Sequence, residues 1–186
     1  MNSDLDFKLA LIEQRYTLPK YFSISPRMVT YWKSKLVVPF FDTGKKSKMN
    51  VPQALWLCLI QELSEFGINT TKLAELAKMV WHEPREKGYF KSKLEKHIAF
   101  LKKQKVVDAS LGVCESILND PLLLHFHGME INPFSDAVID SILIDKNPMS
   151  FYYFPKTGEY HIRDGNKAIT ENEKLGLKWP NDIIFD

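Results

Sequence analysis

Ser25-Pro26-Arg27-Met28-Val29-Thr30-Tyr31-Trp32-Lys33-Ser34-Lys35 carries the signals of a short, sharply capped helix. Ser25 suits an N-cap, because its hydroxyl can accept from an orphan backbone amide, and Pro26 suits the first helical position, where a missing N–H costs nothing. Val29 and Trp32 fall three apart and can turn inward, with Met28 flanking, while Arg27, Thr30, Tyr31, Lys33 and Ser34 lie largely on the other side. One face is therefore expected to pack, and the other to be polar and cationic. Pro39 cannot continue a helix and drives the residue before it toward extended geometry, so the element should stop near Lys35.

The flanking sequence predicts a helix-turn-helix followed by a wing. Thr17-Leu18-Pro19-Lys20-Tyr21-Phe22 predicts a helix of one or two turns before Ser23-Ile24 and the Ser25 cap. Phe40-Phe41-Asp42-Thr43-Gly44-Lys45-Lys46-Ser47-Lys48 reads as a small hairpin with three lysines on its return side. Asn50 then caps a helix that is apolar almost all round up to Gly67 and so is expected at the centre of the domain. Asn69 caps the next helix, whose spacing Leu73, Leu76, Ala77, Val80 and Trp81 runs on toward Pro84.

Tyr16-Thr17-Leu18, Ser25-Pro26-Arg27, the pair Tyr31-Trp32, the Gly44 wing and Leu63-Ser64-Glu65-Phe66-Gly67-Ile68 resemble the DNA-binding domain of the MerR family over residues 15–81. The resemblance implies a dimeric bacterial transcription regulator with a winged helix-turn-helix, a dimerising helix after it and a variable C-terminal effector region. It places Arg27 and Tyr31 where the family contacts DNA, and Lys45 to Lys48 in the wing. The chain departs from the family in a shortened segment between Thr17 and Ser25, in Thr30 where a phosphate-binding arginine is usual, and in Leu36 where a glycine normally ends the recognition helix. Its wing carries Lys45-Lys46-Ser47-Lys48 in place of a Gly-Tyr-Arg pattern.

Charge supports a polyanionic partner. The net charge of the 186 residues is only +2, but Arg15 to Lys48 holds eight Lys and Arg against Asp42 alone, a net of +7. Asp108 to Asp186 holds six Lys and Arg against thirteen Asp and Glu, a net of −7. The cations bracket the capped helix and the turn at Gly44, which favours a phosphate backbone over a merely solvated face. Lys20, Lys33, Lys35, Lys45, Lys46 and Lys48 are expected on phosphates, and Arg27, Thr30 and Tyr31 near base edges or adjoining phosphates.

Further along, Phe90, Leu94, Ile98 and Leu101 form an apolar stripe on a lysine-rich helix, which is expected to pair with a partner helix in a homodimer, the alternative being that the C-terminal region covers it within one chain. Residues 111–118 suggest a short helix ending near Asn119-Asp120-Pro121, and Ala137 to Ile144 a buried strand or short helix. Ser150 to Phe154 and Glu159 to Arg163, joined by Pro155-Lys156-Thr157-Gly158, predict a β-hairpin. The expected class is α+β: a mainly α winged helix-turn-helix domain over 1–83, a linking and dimerisation helix over 84–107, and a small antiparallel-sheet region over 108–186 that binds an effector or a partner.

Catalytic and metal chemistry find little support. His125-Phe126-His127 would set two imidazoles on one side of a strand, yet no third ligand lies nearby in sequence, and Cys114 stands alone where metal-sensing MerR proteins carry paired cysteines. No phosphate loop or nucleophile signature is visible, and Asp136 and Asp140, four apart, gain meaning only in a cleft. No enzyme activity, cofactor or metal is expected. With 45% hydrophobic residues, two cysteines, no apolar run of about 18 residues and no signal-like N-terminus, the chain is expected to be a soluble, cytoplasmic protein away from membranes. The leading expectation is a sequence-specific double-stranded DNA-binding transcriptional regulator. A protein-interaction module on the same scaffold, or a phage or plasmid excision or partition factor, shares these features. The aromatics of the C-terminal hairpin leave room for a small-molecule effector.

Overall fold

Capping side chains set where most helices of the fold begin. A computed structural model describes residues 4–15, 19–40, 48–105, 109–144 and 148–164. The chain runs through α1 (Asp4–Glu13), a 3-10 turn (Pro19–Phe22), α2 (Pro26–Ser34), α3 (Val51–Glu65) and α4 (Thr70–Ala77). A π-helical turn (Lys78–His82) carries α4 on into α5 (Glu83–Glu86). Then follow α6 (Tyr89–Lys103), α7 (Ala109–Asn119), α8 (Pro121–Glu130) and α9 (Pro133–Ala137), the last continued by a π-helical stretch (Val138–Ile144). Strands β1 (Met149–Tyr153) and β2 (Tyr160–Asp164) pair antiparallel, from Met149 opposite Asp164 to Tyr153 opposite Tyr160. The class is α+β, mostly helical with a small antiparallel sheet. The expected wing falls mainly on residues 41–47, which lie outside the described residues.

Asn50 and Gln53 cap α3 reciprocally: Asn50 Oδ1 accepts from the Gln53 amide at 3.0 Å, and Gln53 Oε1 accepts from the Asn50 amide at 3.2 Å. Asn69 Oδ1 accepts from the Lys72 amide at 3.0 Å and starts α4. Asp120 caps α8 by accepting from the Leu122 and Leu123 amides at 2.8 and 3.2 Å, with Pro121 in the first turn. That cap corrects one expectation, because His125-Phe126-His127 is helical rather than extended. Two residues apart on a helix point to roughly opposite sides. His127 accordingly packs toward Phe90, with ring centroids 5.9 Å apart, while His125 Nε2 lies 3.4 Å from Arg85 Nη1. Among the described residues no three potential ligands cluster to hold a metal.

Two apolar clusters knit the chain together. In the first, α3 is central as expected: Trp56, Leu57 and Ile60 are buried against Trp32, Val37, Leu73, Leu76 and Trp81. Residues from the far end of the chain complete it. Phe134 meets Trp56 edge-on at 5.5 Å, and Phe151 of β1 lies 6.0 Å from Phe134. The hairpin thus packs on the core of the N-terminal helices, and that core draws residues from both sides of the boundary expected at residue 83.

The second cluster overturns the argument that suggested a partner helix. Phe90, Leu94 and Ile98 of α6 are buried within the chain against Leu5, Leu9 and Ile12 of α1, Cys114 and Ile117 of α7, Ile131 and Ile139. Leu101, the fourth member of the stripe, is buried too. Local spacing shows that a face is apolar without showing what covers it, and here α7 and residues beyond it cover the stripe together with α1 from the N-terminus.

Ion pairs fasten the same long-range packing. Lys8 Nζ of α1, with its side chain only 5% exposed, lies 3.2 Å from Asp136 Oδ1 and 2.5 Å from Asp140 Oδ1. Burial works against the Lys8 ammonium, but the Asp140 and Asp136 carboxylates outweigh it and hold its pKa above the ordinary lysine value. Asp136 Oδ2 also accepts from Tyr89 Oη and from Lys93 Nζ, each at 2.5 Å. Arg15 Nη2 pairs with Glu130 Oε1 at 2.6 Å, and Glu130 also accepts from Asn50 Nδ2 at 2.8 Å. Part of the basic segment therefore balances part of the acidic one inside the fold. No described helix is long and apolar enough to cross a membrane.

Candidate nucleic-acid interface

The helix built on the opening stretch is α2, and both its ends are set by identifiable chemistry. Ser25 Oγ accepts from the Met28 amide at 3.2 Å, and Pro26 occupies the first turn. At the other end the Val37 amide donates to Trp32 O at 2.9 Å and the Leu36 amide to Lys33 O at 3.0 Å. These are the two bonds of a Schellman cap, and they require a left-handed residue between them. Leu36 supplies it at φ 58°. The end of α3 uses the same cap, with the Ile68 amide donating to Leu63 O, the Gly67 amide to Ser64 O, and Gly67 at φ 83°. A leucine thus sits in a conformation that glycine adopts more readily, and it is 63% exposed.

One side of α2 is nailed down. Trp32 is 2% exposed, Val29 is half-buried against the same core, and Trp56 Nε1 donates to Val37 O at 2.9 Å to fix the chain leaving the helix. The opposite side carries Arg27, Thr30, Tyr31 and Ser34 at i, i+3, i+4 and i+7, all exposed. That is one continuous face of a nine-residue helix, roughly 14 Å long.

The hydrogen bonds on this face differ in what they leave available. Thr30 Oγ1 donates to Pro26 O at 2.9 Å, and Ser34 Oγ donates to Tyr31 O at 2.7 Å. Both hydroxyls have spent their proton within the helix and present acceptor lone pairs outward. Tyr31 Oη donates to Thr70 Oγ1 at 3.3 Å, which ties the face to the start of α4. Arg27 differs: its guanidinium is exposed and takes no partner among the described residues, so its fork of donors is free to meet a phosphate or a guanine edge.

The other expected contacts are distributed unevenly. Lys35 and Lys48 are exposed, and Lys33 is half-buried with interactions of its own. Lys20 belongs to the 3-10 turn before α2. Lys45 and Lys46 lie outside the described residues. Arg15, part of the same basic run, is held by Glu130 and Gln53. The contribution of Thr70 to this face went unread in the sequence, since nothing local to α2 points to a residue 39 positions away. No protein-family model matches the chain, and comparison with curated proteins and with solved structures returns no match.

Proposed function

We propose that the protein is a sequence-specific double-stranded DNA-binding transcriptional regulator of MerR-like winged helix-turn-helix type, which presents the exposed face of α2 to the major groove. The observation that supports this most is the free guanidinium of Arg27 on a rigidly capped helix whose back is buried through Trp32. Groove readout needs a helix held at fixed height and rotation, and a donor fork not already spent inside the protein. Lys35 and Lys48, with Lys20, Lys33, Lys45 and Lys46, supply phosphate contacts in this reading, and the role is one of binding rather than catalysis. Because the α6 stripe is used inside the chain, a homodimer on a palindromic site would pair through another surface.

Selection of bound sequences from random duplex DNA tests the proposal. Enrichment of a defined motif, lost with Arg27→Ala while the fold is retained, is the expected result. A palindromic motif would support two copies per site, and a single short asymmetric motif would argue for one.

A second reading has its own observation. Met28, Tyr31 and Leu36 on and just after α2 are large, apolar and exposed, and the hydroxyls of Thr30 and Ser34 are internally bonded. That surface suits a protein partner, and no enrichment from random DNA, with intact folding, would favour it.

A further inference from the structure

Helix α6 has a second face beside its buried stripe. Tyr89, Ser92, Lys93 and Lys96 follow one another at i, i+3, i+4 and i+7, and all four line a cavity of about 560 Å³ between α6, the π-helical turn before α5, and β2. That volume lies in the range of small-molecule sites. Its apolar lining is Tyr160 of β2, Met79, Pro84, Pro133 and Tyr89, and Lys93 Nζ lies over the Tyr89 ring, 5.6 Å from its centroid. Neither tyrosine is loose. Tyr160 stacks on Phe151 with ring planes 10° apart and centroids 5.6 Å apart, and the Tyr89 hydroxyl is held by Asp136. The slot is therefore preformed rather than shaped by its occupant.

Its charge is readable in the same way. Glu83 is matched by Lys87 at 2.8 Å, and Lys93 by Asp136 at 2.5 Å. Lys96 is exposed and takes no ion-pair partner among the described residues, which leaves one uncompensated positive charge at the edge of an aromatic slot. The Ser92 hydroxyl stands one turn away on the same face. We propose that this cavity binds a small planar aromatic monoanion, with its ring against the apolar lining of Tyr160, Met79 and the two prolines and its carboxylate on Lys96 and Ser92. The proposal is independent of DNA binding and stands or falls without it.

Isothermal titration of the full chain with 2-naphthoate tests it, with 2-naphthamide as the neutral analogue and inorganic phosphate as competitor. One saturable naphthoate site is expected, at least tenfold weaker for the amide and about fivefold weaker in Lys96→Ala. Lys91→Ala should leave binding unchanged, since Lys91 faces Glu95 outside the cavity. Ser92→Trp, which fills the slot from an exposed position, should abolish binding at unchanged thermal stability. Should that variant fail to fold, the acid-to-amide ratio and Lys96→Ala decide the matter. Absence of saturable naphthoate binding, equal binding of the amide, indifference to Lys96→Ala, or displacement by phosphate at comparable affinity would each overturn the assignment.

Discussion

Replacing Asp136 by asparagine probes how an N-terminal helix is locked to the far end of the chain. The Asp136 side chain is 8% exposed and accepts from three donors: Lys8 Nζ at 3.2 Å, Tyr89 Oη at 2.5 Å and Lys93 Nζ at 2.5 Å. Asparagine keeps the shape but loses the charge, so each charge-assisted bond falls toward a neutral one, a loss of about 1 kcal/mol apiece. The Lys93 share is discounted because that side chain is 32% exposed and screened. Lys8 keeps Asp140, which softens the loss further. The sum is about 2 kcal/mol, and for a chain of this size it corresponds to roughly 4–8 °C in Tm. Urea unfolding followed by far-UV circular dichroism measures it directly, and a double-mutant cycle with Lys8→Met should show a coupling of about 1 kcal/mol. A change under 0.5 kcal/mol in Asp136→Asn, or strict additivity in the cycle, would show that Asp136 does not lock α1 in place. The same cluster predicts an alkaline limit. Because the folded pKa of Lys8 is raised, its contribution is complete below the ordinary lysine value near 10.4 and fades as pH climbs through the higher folded value.

Three other perturbations test separate parts of the account. Leu36→Gly removes a left-handed strain of about 1–2 kcal/mol at the expense of greater freedom in the unfolded chain, so a net gain of about 0.5–1 kcal/mol is expected in a melting curve, and a loss above 1 kcal/mol would contradict the cap. Ser25→Ala should cost about 1 kcal/mol by freeing the Met28 amide, whereas Ser25→Asp should keep most of the stability. His82 is held below the usual histidine value by burial and by Arg85 beside it, with Glu86 opposing. Its contribution is therefore present above about pH 6.5 and is lost as pH falls through the lower folded value, so His82→Gln should flatten the fall in stability between about pH 7 and 5. An unchanged slope in that variant would remove His82 from the explanation.

What the sequence made legible was local. Ser25-Pro26, Asn50 and Asn69 are short-range signals whose hydrogen bonds each span three residues, and each forms as expected. The hairpin was equally plain, because Pro155-Lys156-Thr157-Gly158 carries the turn and Gly158 takes φ 79°. Asp120-Pro121 was read only as a helix end, although an aspartate before a proline is also a helix start. That second meaning turned His125 and His127 away from one another. Leu36 was visible as a residue standing where the resembled family has glycine, and the backbone explains the position without removing the leucine. Lys8 could not be placed, since Asp136 lies 128 positions away and no periodicity records that distance. The spacing on α6 marks an apolar stripe, and its cover lies within the chain, from the C-terminal region through Cys114, Ile117, Ile131 and Ile139 as well as from α1.

The most direct test of DNA recognition is the salt dependence of binding to the selected duplex, measured from about 50 to 200 mM salt for the wild type and for Arg27→Ala. With about four phosphates neutralised by Lys35, Lys48 and their neighbours, wild-type affinity should fall by roughly 100-fold across that range. Arg27→Ala should weaken binding at every salt concentration by about 1–3 kcal/mol and relax the preference for the selected motif. Duplex binding that ignores salt, or an Arg27→Ala protein that binds the selected motif as tightly as the wild type, would contradict the account.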